Sequence, residues 1–158
     1  IGRNAFIRCN SLRELIFNDG LKQIGYGAFA RCTSLGRITI PSTVVEISKH
    51  AFNGCHYLRD IVLNYGIKRI KTGTFRGCTS IERITIPSSV TEISSVTFYV
   101  CRGLREVGLH EGIQIASDAR KLEEKLGIIL ISILAPVFFS ILLVSIFIFY
   151  LQSKYQQR

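Results

Sequence analysis

The five cysteines of this chain, Cys9, Cys32, Cys55, Cys78 and Cys101, stand 23 residues apart, and the sequence around them repeats in step. Phe6, Phe29, Phe52, Phe75 and Phe98 lie three residues before them; Leu12, Leu35, Leu58, Ile81 and Leu104 lie three after. A period of about 20–29 residues with apolar side chains at fixed phases predicts a solenoid, in which each repeat buries the face its neighbour leaves open. No other single feature restricts the fold as tightly.

Counted from each cysteine, apolar residues also recur at the sixth, eighth, twelfth and fifteenth positions. The sixth holds Leu15, Ile38, Ile61, Ile84 and Val107, and the eighth Phe17, Ile40, Leu63, Ile86 and Leu109. This period-2 pattern of mostly β-branched residues predicts a short strand with two side chains inward. Stacked copies make a curved parallel sheet with rungs about 4.8 Å apart. Turn residues follow each strand, alternating between Asn18-Asp19-Gly20, Asn64-Tyr65-Gly66 or His110-Glu111-Gly112 and Pro41-Ser42 or Pro87-Ser88. A 46-residue double unit therefore underlies the 23-residue repeat. The segment before each cysteine is expected to form a turn or short helix on the opposite wall. At the fifteenth position Ile24, Ile47, Ile70 and Ile93 give way to Ala116, the first lapse in the pattern.

The units IGYGAFARCTSLGRITIPSTV, ISKHAFNGCHYLRDIVLNYGI and IKTGTFRGCTSIERITIPSSV resemble the BspA-like, Treponema-type leucine-rich repeats. The likeness covers residues 1–113. It implies a leucine-rich repeat solenoid, a surface protein that binds other proteins or matrix, and no catalytic residues. Thr74 and Thr97 depart from it by standing where that class prefers Ala, as do Val96, Tyr99 and Val100 in the last unit.

The cysteines fall between two apolar phases and never closer than 23 residues. Equivalent side chains on stacked rungs point in parallel rather than at one another, so a ladder of buried thiols is expected over disulfides. Paired short spacings, as zinc sites use, do not occur. His50, His56 and His110 occupy three different phases and are not expected to converge. Phosphate loops and nucleophile elbows are lacking too, so the chain reads as a non-enzyme without cofactor or metal.

Binding is the remaining class. Along the outward fifth position the charges alternate: Glu14, Arg37, Asp60, Arg83, Glu106. They are expected to pair across rungs, and the mild row Ile16, Thr39, Val62, Thr85, Gly108 beside them makes a flat floor suited to a macromolecule. Arg13, Arg37, Thr39, Arg59, Arg83, Thr85 and Arg105 are the candidate partner-binding residues. Lys22, Lys68, Arg69 and Lys71 lie elsewhere on the repeat. Residues 1–112 hold 15 Lys/Arg against 8 Asp/Glu, which fits a protein or an anionic glycan as ligand. Nucleic acid is not expected, for want of a recognition helix or stacking aromatics. Oligomeric state is open.

Beyond 113 the pattern stops. A juxtamembrane helical segment is expected at 114–126, capped at Ser117 with Asp118 near its positive end. From Gly127 to Leu151 the chain is uncharged and rich in Ile, Leu, Val and Phe. As a helix rising 1.5 Å per residue it would measure about 37 Å, enough to cross a hydrocarbon core of about 30 Å. One transmembrane α-helix is therefore expected at 127–151, followed by a short tail at 152–158. The basic residues on its two sides barely differ, Arg120, Lys121 and Lys125 against Lys154 and Arg158, so charge leaves the orientation open. The family resemblance implies repeats outside a plasma membrane. Free thiols and the lack of an Asn-x-Ser/Thr sequon fit equally an intracellular, tail-anchored scaffold. With no methionine and with Ile1 in the phase of Ile24, the chain is expected to be the C-terminal part of a longer array.

Overall fold

A computed structural model describes residues 1–94, 96–110 and 113–115 of the chain. The path through each repeat is a strand, a turn, a second strand and a run of tight turns leading to the cysteine. The strands after the cysteines are β1 (Glu14–Leu15), β3 (Arg37–Ile40), β5 (Asp60–Leu63), β7 (Arg83–Thr85) and β9 (Glu106–Gly108). They fall where the period-2 pattern places them. Between them come β2 (Gln23–Ile24), β4 (Glu46–Ile47), β6 (Arg69–Ile70), β8 (Glu92–Ile93) and β10 (Gln114–Ile115). These make a second parallel sheet, in the order β10-β8-β6-β4-β2. The fifteenth-position isoleucines marked this short-strand wall in the sequence, but two residues carry too little alternation to declare a strand.

The core lies between the two walls. Ile24, Ile38, Ile40, Ile47, Ile67, Ile70 and Ile81 are fully buried. Phe6, Phe29, Phe52, Phe75 and Phe98 stack in one column, with centroids 5.2–5.8 Å apart and ring planes within 10° of parallel. That spacing slightly exceeds a rung, so the rings are offset as their quadrupoles prefer. All five cysteines are free; Cys9 is exposed and the other four are buried. Each buried thiol reaches the carbonyl of the phenylalanine one repeat earlier: Cys32 to Phe6, Cys55 to Phe29, Cys78 to Phe52 and Cys101 to Phe75, at 3.0–3.2 Å. Burial, with Cys55 beside it, pushes the Cys32 thiol up to about 11. Burial likewise raises Cys78. The expected thiol ladder is thus also a hydrogen-bond ladder that ties one repeat to the next.

The segment before each cysteine forms turns rather than a helix. Its backbone is laddered as well: Phe6, Phe29, Phe52 and Phe75 donate to Ala28, Ala51, Thr74 and Thr97 of the next repeat at 2.7–3.1 Å. Two positions in every repeat are left-handed, and they prevent a helix. One carries Asn4, Gly27, His50, Gly73 and Val96, with φ between 49° and 65°. The other carries Arg8, Arg31, Gly54, Gly77 and Val100, with φ between 58° and 74°. Glycine adopts this region freely, whereas a side chain costs about 1–2 kcal/mol there. The hydroxyls of Thr74 and Thr97, which replace alanine, are buried but satisfied by Lys71 and Ser94 carbonyls at 2.7 Å.

One boundary is corrected. The solenoid does not end at 113, because Gln114–Ile115 extend the short-strand wall beside β8. Glu106 pairs with Arg83, 23 residues back, but Gln114 pairs with Glu92, 22 back. One residue is missing between β9 and β10, so Ile115 rather than Ala116 aligns with Ile93. The apparent lapse at the fifteenth position is a slip in register. Among the described residues no helix is long and apolar enough to cross a membrane. Of the helical segment expected at 114–126, Gln114–Ile115 are strand β10 and 116–126 lie outside the described residues, as do the span expected at 127–151, between Gly127 and Leu151, and the tail 152–158.

Candidate functional site

The long-strand wall is not continuous. β1, β3 and β5 form one sheet, β7 and β9 another, and no ladder joins β5 to β7. The pairing strength alternates along the wall: two residue pairs link β1 to β3, four link β3 to β5, and three link β7 to β9. The turn residue that follows each strand alternates along the same wall. Where Asn64 follows the strand, its N–H donates to the Ile40 carbonyl of the preceding strand at 3.4 Å. Pro41 and Pro87 occupy the same phase and have no N–H to give. Pairing is short where Pro41 enters and lost where Pro87 enters.

The interruption opens a cleft of about 360 Å3 between the two sheets, lined by Val62, Tyr65, Arg83, Thr85 and Pro87 above Ile61, Leu63 and Ile84. Tyr65 is 72% exposed and Val62 46%, so an aromatic ring and an isopropyl group frame its mouth. Ile61 is only half-buried, whereas Ile38 and Ile84 on either side are buried. β5 and β7 remain neighbours in space although no ladder joins them. The cleft is open, apolar at its floor, and rimmed by a cation and a hydroxyl.

The charge row behaves accordingly. Arg37 meets Asp60 at 3.2 Å within the first sheet and Arg83 meets Glu106 at 3.3 Å within the second. Asp60 and Arg83, on opposite banks of the cleft, form no ion pair, and Glu14 beside Arg37 in register forms none. The row is therefore two couples rather than a continuous ladder. Both are exposed, and such pairs contribute only a few tenths of a kcal/mol. On the other wall Glu46 holds Arg69 at 3.1 Å and Lys71 at 3.8 Å.

Of the residues singled out in the sequence, Arg83 and Thr85 line the cleft, and Arg37 and Thr39 lie on the floor of the adjoining sheet. Arg59 turns aside to stack on Tyr57, with its guanidinium 4.7 Å from the ring centre. Arg13 and Arg105 are exposed beside the strand entries, tied in through backbone bonds with Gly36 and Glu82. Val62 was read only as part of the flat floor, and Tyr65 and Pro87 only as turn residues; their grouping at one cleft was not read from the sequence. The histidines are dispersed: His50 packs on Tyr26, His56 Nδ1 donates to the Gly77 carbonyl at 3.0 Å, and His110 Nε2 to that of Val90 at 2.8 Å. Among the described residues no cluster of three or more His, Cys, Asp or Glu could hold a metal ion.

A family model described as BspA type leucine rich repeat region (6 copies) matches residues 1–120. Among solved structures the chain is similar to a leucine rich cell surface protein of Faecalibacterium prausnitzii, with 29% identity and a TM-score of 0.62. The match covers 63% of this chain and 26% of that one. A leucine rich repeat protein of T. pallidum matches with 28% identity and a TM-score of 0.62, over 73% of this chain and 65% of that one. A leucine-rich repeat protein of Bacteroides ovatus, 23% identical with a TM-score of 0.53, covers 66% of this chain and 33% of that one and shares the fold. The chain thus spans only a quarter of the first of these proteins and just under two thirds of the second. No curated protein sequence matches it.

Proposed function

The chain belongs to the BspA-type leucine-rich repeat family, and from that premise we propose that it is a membrane-anchored recognition module displayed on the cell surface. Its partner is a protein seated on the long-strand wall. The observation that carries this reading is the interruption between β5 and β7, which offers an apolar floor, unladdered backbone groups and the Arg83 cation in one place. A protein ligand can fill such a cleft with one apolar side chain while a carboxylate meets Arg83 at its rim. The likeness to a cell surface protein of F. prausnitzii supports display outside the cell. Residues 127–151, uncharged from end to end, serve as the anchor, with 152–158 inside.

The competing account, an intracellular tail-anchored scaffold, draws on the free, buried thiols, which a reducing compartment maintains without effort. Protease protection separates the two. With a tag after Arg158, external protease acting on intact cells should remove the repeats and leave a small tagged stub. Survival of the repeats until permeabilisation would refute surface display. For the wall, a photo-crosslinking residue at Thr85 should trap a discrete partner while one at Gln23, on the short-strand wall, traps none. Equal trapping at both would remove the cleft from the account.

A further inference from the structure

A second face of the solenoid carries charge that the long-strand wall does not explain. Along the turns that precede the cysteines runs a groove of about 540 Å3, and its charged lining is formed by Arg8, Arg31 and Arg76 without a carboxylate. None of the three has an ion-pair partner among the described residues, and all are exposed. The remaining polar lining consists of amides, hydroxyls and an imidazole: Asn10, Thr33, Asn53 and His56.

We propose that this groove binds a linear sulfated glycan. Three observations converge on it. Arg8 and Arg31 sit at a left-handed position, φ 58° and 61°, where the later repeats carry Gly54, Gly77 and Val100. A side chain held there is strained, and strain of this kind concentrates at functional positions. Arg8 and Arg31 lie one rung apart, about 5 Å, in the same phase, and Arg76 lies about two rungs further on and one residue out of that phase, so an anionic chain running along the stack meets the cations in turn. Guanidinium forks bind sulfate oxygens in pairs, and Asn10, Asn53 and Thr33 can serve the sugar hydroxyls.

The lining also discriminates among polyanions. No Phe, Tyr or Trp is among the groove's lining residues; its one ring, the His56 imidazole, is held by the Gly77 carbonyl, and the Tyr99 ring nearby lies under the Arg76 guanidinium. Apart from Val100 at one end it has no apolar anchor of the kind protein partners use. This inference deepens the surface-recognition reading, and rests on it only for access to a glycan outside the cell.

The test uses the full chain in non-ionic detergent on immobilised dextran sulfate, with plain dextran as control and a salt gradient for elution. The wild-type chain should bind dextran sulfate and pass through dextran. The double variant Arg8→Gly/Arg31→Gly should elute at clearly lower salt, with the slope of log retention against log salt reduced by about two. Its melting temperature should equal or exceed that of wild type, which rules out unfolding as the cause. Lys22→Gln/Lys68→Gln removes the same charge from other exposed positions and should elute like wild type. Equal shifts in the two double variants would overturn the site, leaving only general electrostatics. Displacement of the bound chain by poly-glutamate or single-stranded DNA as readily as by soluble dextran sulfate would overturn the ligand class. If protease protection places the repeats inside the cell while the groove variants still lose retention, surface display fails and the groove stands.

Discussion

Replacing Phe52 by alanine should cost far more than the same change at Phe6, although the two residues occupy one phase of the repeat. Phe52 is fully buried and lies between Phe29 at 5.4 Å and Phe75 at 5.8 Å. Phe6 is 44% exposed and stacks on Phe29 alone, at 5.2 Å. A buried Phe→Ala change costs about 3–5 kcal/mol, of which each ring contact accounts for roughly 0.5–1.5. A half-exposed ring with one neighbour should lose about 1–2 kcal/mol on the same scale. Because a solenoid is coupled only through adjacent repeats, loss of the central ring also uncouples its two ends. The urea transition of Phe52→Ala should therefore broaden as well as move to lower denaturant. Urea titration of the full chain in non-ionic detergent, followed by far-ultraviolet circular dichroism, reads both effects. A difference between the two variants of less than about 1 kcal/mol, with equal slopes, would refute the claim that the column is held together by two-sided packing.

Thiol reagents at neutral pH should label Cys9 quickly and Cys32, Cys55, Cys78 and Cys101 only on unfolding, and the denatured, unreduced chain should yield all five thiols. A lower count would refute the ladder. The Cys32 thiol is raised from an ordinary 9.0 to about 11, so the unfolded form loses its proton first as pH rises. The contribution of Cys32 to stability is then fully present below about pH 9 and lost between 9 and 11. A urea midpoint unchanged from pH 8 to 10.5 in a Cys32→Ala comparison would contradict that sign. Val96→Gly should stabilise by about 1 kcal/mol, since a β-branched side chain there is held at φ 49°; thermal melting decides, and destabilisation would count against the strain. Pro87→Asn supplies the N–H that Asn64 uses one repeat earlier. The new amide should be protected from hydrogen exchange and bring β5 and β7 together; rapid exchange would mean that proline is not what parts them.

The fold was legible because the solenoid writes its contacts at a fixed interval: the cysteine, phenylalanine and leucine phases each name one layer of the core. The short-strand wall was only half legible, since Gln23–Ile24 and its equivalents are two residues long and carry no alternation of their own. The register slip at β10 was invisible. A single deletion between Gly108 and Gln114 reads in sequence as the end of the repeat rather than as a shorter turn. The candidate site was legible in its parts but not in its place. Arg83 and Thr85 stood out as outward strand residues, yet the cleft beside them lies where the ladder between β5 and β7 is absent, which no residue pattern announces. The groove arginines escaped notice for a related reason. Arg8 and Arg31 share a phase with Gly54, Gly77 and Val100, and only the backbone angles reveal that this phase is left-handed.

The break in the long-strand wall has a mechanical corollary. The short-strand wall runs unbroken from β2 to β10, while the opposite wall has no ladder between β5 and β7. A load applied along the axis meets a stack that is stitched on one side and slit on the other. Bending concentrates at the slit, with the short strands as the hinge, and the cleft widens before any other rung gives way. A partner wedged into that cleft, bonded to both banks, would restore the missing stitch and stiffen the rod, so that occupancy of the surface and resistance to shear rise together.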